Sequence, residues 1–131
     1  MAHYAILDEN NIVTAVIVGR NENEVVDGIS DWEEYYSKFT GKTVKRTSYN
    51  TLENIHKQGG VPFRYNYAGI GSTFDPNKGS DGGFISVKPY ASWILNQDNY
   101  AWEAPIPKPQ DGKKYMWDEE SLSWIEVVLP E

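Results

Sequence analysis

The chain has 131 residues, enough for one domain with a core of its own and marginal for two. Nineteen Asp and Glu against 12 Lys and Arg leave a net charge of −7, a field that repels phosphate backbones and argues against nucleic-acid binding. There is no cysteine, so disulfides, zinc–thiolate sites and thiol nucleophiles are excluded.

Hydrophobic residues make up 40% and aromatics 14%, with five Trp and nine Tyr. Aromatic side chains fit the pleated surface of a sheet and carry polar tips that want partners, which predicts a mainly β chain. Met1-Ala2-His3-Tyr4 passes straight into Ala5-Ile6-Leu7 with no charged leader or long apolar run. Neither a signal peptide nor a membrane span is expected, and synthesis in a cytoplasm is.

The first element is a hairpin: Tyr4–Leu7, a turn at Asp8-Glu9-Asn10-Asn11, and Ile12–Val18. Asn and Asp tolerate positive φ and bond their own backbone, as a tight reversal requires. After the polar stretch Arg20–Glu24, one short amphipathic helix is expected near residues 31–39. Ser30-Asp31-Trp32-Glu33 has the form of a capping box with Ser30 as N-cap and Glu33 reaching back. Trp32, Tyr35, Tyr36 and Phe39 follow at i, i+3, i+4 and i+7, a stripe that places Trp32, Tyr35 and Phe39 in the core. Gly41 is a natural stop.

From Thr43 to Ser72 the chain is polar and aromatic without clean periodicity. Thr43–Thr51 alternates around Val44, Gln58-Gly59-Gly60 marks a turn, and Phe63-Arg64-Tyr65-Asn66-Tyr67 alternates as a half-buried strand should. Thr73-Phe74 and Phe84-Ile85 form a further hairpin around a long loop. In that loop Asp75-x-Asn77-x-Gly79-x-Asp81 has the alternate oxygens of a calcium loop, but the twelfth position holds Ser86 where a bidentate Glu belongs, so an ordinary loop is expected.

The last third contains a short repeat. Leu95–Trp102 aligns with Trp117–Trp124, and the N-terminal Leu7–Thr14 has the same form: an apolar residue, four polar ones, then an apolar residue that resumes the strand. Shared turn chemistry explains the match as well as descent does. Between the last two copies, Pro105, Pro107 and Pro109 favour a stiff, extended path. The expected organisation is a hairpin-rich core over 1–104, a Pro-rich linker over 105–112 and an aromatic hairpin arm over 113–131. The expected fold class is mainly β (α+β), built of successive antiparallel hairpins.

No catalytic constellation is visible. His3 and His56 lack metal-ligand spacing and read as surface residues; Gly69-Ile70-Gly71 lacks the rest of a nucleotide-binding loop. The acidic pairs Asp8/Glu9, Glu33/Glu34 and Glu119/Glu120 each have a turn or a helix start to explain them, although a small glycan-cleaving enzyme using such a pair is a third reading. No catalytic, cofactor-binding or metal-binding residue is assigned. For Trp93, Trp102, Trp117 and Trp124 two readings stay open, core or partner-binding face, because a two-stranded arm has little core to offer.

The runs Met1–Val13, Lys45–Thr51, Arg64–Gly71, Lys88–Trp93 and Asp111–Glu119 resemble short proteins encoded by cyanophages and other tailed phages of marine bacteria. The last run is also similar to hairpin modules at the ends of phage tail-fibre proteins. Val44, where a Cys is expected, and the enlarged loop at Asp81-Gly82-Gly83 depart from the pattern. The resemblance implies a virion structural protein, either capsid-decorating or tail-fibre-associated, non-enzymatic and without cofactors. Its implied partners are other virion proteins and its implied location is the virion. The aromatic arm on a stiff Pro linker suits packing onto further copies in a symmetric oligomer such as a trimer, and the charge and hydropathy already argue against nucleic acid and membrane as partners. The alternative is a phage effector that binds and redirects a host protein, its acidic surface matching a basic partner.

Overall fold

In a computed structural model that describes residues 1–130, the chain is mainly β with antiparallel hairpins and a single short helix. It divides into two compact units, residues 1–87 and a second from Lys88 onward. The division falls upstream of the Pro-rich segment expected as the linker. The reason lies in the second unit, where Trp93 packs with the C-terminal hairpin and Ile106 bonds to it, so 88–104 and 105–112 belong with that hairpin.

In the first unit, β1 (Ala2–Leu7) is the central strand of a three-stranded antiparallel sheet, flanked by β2 (Val13–Gly19) and β3 (Thr43–Thr47). Its sequence, AHYAIL, is apolar on both faces because both faces are covered. Tyr4 and Ala2 join Trp32 and Val44 in a cluster beneath the helix, with Ile17 and Tyr36 against it. On the other face Ala5, Leu7 and Val13 join Ala68, Phe74 and Phe84, with Val16 against them. Phe84 has no exposed surface, and its replacement by Ala is expected to cost about 4 kcal/mol.

The helix α1 (Trp32–Thr40) begins one residue later than the capping-box reading requires. Asp31 is the N-cap, its carboxylate accepting the Glu34 amide at 3.1 Å. Glu33 does not reach back: its carboxylate accepts the Arg46 amide and the Arg64 guanidinium, both at 2.6 Å. An ionic partner across the sheet outcompetes a local cap. Gly41 closes the helix in the left-handed region at φ 71°, as expected. The aromatic stripe is only half buried. Trp32 is in the core, but Tyr35 is 40% and Phe39 79% exposed, because the side of the helix that packs carries Trp32, Glu33, Tyr36, Ser37 and Thr40, and Tyr35 and Phe39 lie round the helix from it.

The stretch 63–67 is not a strand. Arg64 and Tyr65 both take positive φ, 54° and 70°, which reverses the chain and breaks the period of two. The residue it buries is Asn66, followed by Ala68 just beyond it, rather than the aromatics. Asn66 accepts the Glu53 amide at 2.9 Å and donates to the Phe84 carbonyl at 2.8 Å, so one side chain stitches two hairpins together. These are β4 (Thr51–Leu52) with β5 (Ile55–His56), and β6 (Thr73–Asp75) with β7 (Gly83–Ile85). The second pairs Phe74 with Phe84, as the sequence leads one to expect.

Neither histidine is freely exposed. His3 stacks on Tyr49 at 5.4 Å, and the His56 Nδ1 accepts the amides of Gln58 and Gly60.

In the second unit, β8 (Ile94–Leu95) pairs with β9 (Trp102–Glu103), and β10 (Tyr115–Asp118) with β11 (Ser123–Glu126). The repeat has a shared physical basis. Asp8, Asn96 and Asp118 occupy the same position in the three copies, and each side chain accepts a backbone amide two or three residues on: Asn10, Asp98 and Ser121. Each tip also holds one residue at positive φ, namely Asn11, Tyr100 and Leu122.

Candidate partner-binding surface

The alternation of a strand decides which C-terminal side chains point where. Along β10, Tyr115 and Trp117 share one face and Met116 and Asp118 the other; across the ladder Trp117 faces Trp124 and Met116 faces Ile125. The two indoles meet edge to face, with centroids 5.2 Å apart at 71°. Trp93 closes on both, 6.1 Å from each, and Tyr90 extends the cluster at 5.4 Å from Trp93. Such contacts are worth about 1 kcal/mol each beyond the area they bury, so this group is the second unit's miniature core.

Polar bonds lock the rings. The Glu119 carboxylate accepts the Trp117 indole N–H at 2.8 Å, the Ser92 hydroxyl at 2.7 Å and the Ser92 amide at 3.0 Å. The Ser92 and Trp117 donors hold the Glu119 carboxyl below its ordinary pKa. The Trp124 indole donates to the Ile106 carbonyl at 2.8 Å, and Lys108 lies 5.8 Å from that ring's centroid, so the proline segment lies along Trp124. The chain bends at Pro105 and Ile106, where the Ile106 carbonyl meets the indole. The buried Trp93 indole nitrogen has no hydrogen-bond partner among the described residues.

Of the four tryptophans singled out by sequence, three come together. Trp117 is buried and Trp93 and Trp124 are half-buried in the cluster; Trp102 is half-buried outside it, across from Leu95 with the Lys88 ammonium 5.6 Å from its ring centroid. The apolar surface that faces solvent is the opposite side of the same hairpin. There Met116 and Ile125 form an exposed cross-strand pair, at 60% and 47%, with Leu122 exposed at the tip. Sequence reasoning passed over these residues because the tryptophans are louder. The signal was present all the same: Met116-Trp117 and Trp124-Ile125 are consecutive apolar residues in a strand, which cannot share one face.

The first unit has a wider groove, about 1070 Å³, whose lining includes Asp8, Asp31, Glu33, Glu34, Lys38 and Lys42. Glu9 also lines it, and the other four carboxylates have local duties. Asp8 accepts the Asn10 and Ile12 amides, Asp31 caps the helix, Glu33 binds Arg64, and Glu34 pairs with Lys38 at 2.8 Å. A glycosidase-type acid–base pair needs one carboxyl in an apolar pocket opposite another, whereas Glu33 and Glu34 here are each ion-paired.

The loop 75–83 is organised from within. Asp75 accepts the Asn77 amide at 2.9 Å, and the Asp81 carbonyl accepts the Arg64 Nε at 2.8 Å. Among the described residues no group of three or more His, Asp or Glu converges as a metal site, and no helix is long and apolar enough to cross a membrane. No family model, no curated protein and no solved structure matches the chain.

Proposed function

We propose that the protein is a structural component of a tailed phage particle, a capsid-decorating or tail-fibre-associated module that binds neighbouring proteins and carries out no chemistry. The observation that carries this reading is the C-terminal hairpin, each of whose two faces bears an apolar cross-strand pair. One face is consumed by the Trp93–Trp117–Trp124 cluster, and the other presents Met116 and Ile125 outward. A hairpin braced from behind by packed indoles is a rigid platform, and rigidity lowers the ordering cost of association. The family resemblance of the sequence supports the same reading.

Antibody labelling of intact particles tests it: label on the outer surface, at head or tail, is expected. Lysine at both Met116 and Ile125 should keep the hairpin folded and abolish incorporation. Unlabelled particles, or normal incorporation of that double variant, would contradict the proposal.

A further inference from the structure

The two edges of the three-stranded sheet are treated differently. The β3 edge is covered. Val44 N–H donates to the Ser37 hydroxyl at 3.0 Å, Arg46 N–H donates to Glu33, and the Arg46 carbonyl accepts the Arg64 guanidinium at 2.8 Å. The β2 edge is covered only at its start, where Val13 donates to the Ser72 carbonyl and accepts the Gly71 amide, both at 2.8 Å. Beyond that point, among the described residues, no backbone hydrogen bond joins Ala15–Val18 to any segment away from β1. Every second residue of an antiparallel edge strand aims its N–H and C=O outward, so this stretch presents an unused ladder.

β2 is also the longest strand, seven residues, and it carries no charge in a chain that is 24% charged with a net charge of −7. Natural edges are blunted by lysine, proline or an inward charge. Ala15–Gly19 has none of these.

We propose that the β2 edge pairs with the β2 edge of a second copy of this chain, antiparallel across a two-fold axis. Centred on Ile17, the pairing sets Ile17 against Ile17, Val16 against Val18 and Ala15 against Gly19, and joins two three-stranded sheets into one of six. β-Branched residues meet across the new ladder, the pairing they favour. A strand of this chain is the occupant that fits because the segment is its own complement in residue type, and because two like-charged copies repel least where neither bears charge. The inference is independent of where the protein resides.

Sedimentation of the full chain from micromolar to millimolar concentration tests it, together with amide hydrogen exchange of residues 15–18. The wild type should form dimers, and the outward amides should be protected only at dimeric concentrations. Val18→Lys places a charge beside the axis on a side chain that is 56% exposed, so the monomer tolerates it. It should weaken the dimer about tenfold or more, with an unchanged circular dichroism spectrum. Val61→Lys, on the 86% exposed Val61, should leave the dimer intact. A wild type monomeric throughout, a trimer, or a dimer indifferent to Val18→Lys overturns the proposal; the first would leave the edge to a strand of another protein.

Discussion

Arg64 is the residue on which most of the first unit converges, and replacing it by Met should cost about 3 kcal/mol of that unit's stability. Its side chain is 8% exposed, and its guanidinium donates to Glu33, to the Arg46 carbonyl and, through Nε, to the Asp81 carbonyl. The ring of Phe63 lies 4.7 Å from the guanidinium carbon, with that of Arg46 closer at 3.9 Å. Removing one partner of a buried ion pair typically costs about 3–5 kcal/mol. Glu33 is 31% exposed and keeps its bond from the Arg46 amide, so water and that donor recover part, which leaves about 3. Met retains a side chain at this positive φ, so the backbone cost of the native conformation does not change. Only one of the five tryptophans, Trp32, lies in this unit, so fluorescence would mix the two units; urea unfolding should instead be followed by resolved amide signals of the sheet. Glu33→Gln alone, and combined with Arg64→Met, completes a double-mutant cycle. A loss below about 1 kcal/mol for Arg64→Met, or additive effects in the cycle, would refute the view that this ion pair ties helix, sheet edge and loop together.

The helix cap gives a second test: Asp31→Ala should cost about 1 kcal/mol and Ser30→Ala almost nothing, measured by the same unfolding experiment. At Gly82, φ is 81° and an added Cβ would collide with the Phe74 ring, so Gly82→Ala should lose about 2–3 kcal/mol. At Gly28 φ is also positive but the space is open, so Gly28→Ala should lose only about 1 kcal/mol, the backbone part. Alkaline pH gives a further prediction. Burial, reinforced by Tyr36, pushes the Tyr4 hydroxyl up to about 12, and its proton is donated to the Arg20 carbonyl at 2.7 Å. The folded state therefore holds a proton that the unfolded chain releases near pH 10. Its contribution is complete below pH 10 and is lost as pH rises towards 12. Stability should decline in that window in the wild type and less in Tyr4→Phe, as read by urea midpoints.

How much of this was legible in the sequence follows from how local each feature is. The hairpins at Leu7–Thr14, Thr73–Ile85 and Trp117–Trp124 could be read because Asp and Asn side chains set these turns within a few residues. The helix was legible as an element, but its cap shifted from Ser30 to Asp31 because Glu33 has a stronger partner thirty-one residues away, which no local pattern records. The segment around Arg64 misled for the same reason. Its aromatic–polar alternation suits a strand, yet the chain turns at Arg64 and Tyr65 so that Asn66 can reach both Glu53 and Phe84. Exposure of Phe39 could not be foreseen either, since a stripe at i, i+3, i+4 and i+7 does not state which of its edges the sheet covers, and here it is the Trp32–Tyr36 edge. In the second unit the tryptophans were picked out by type; that three of them pack together and turn Met116 and Ile125 outward depends on the register of one hairpin.

The central proposal, a structural role in a phage particle, is tested most directly by quantitative mass spectrometry of phage particles purified from a culture that produces this chain. The account predicts its peptides at a fixed copy number per particle, in proportion to the other structural proteins and retained through high-salt washing. Peptides found only in the infected-cell lysate, with none in the purified particles, would contradict it.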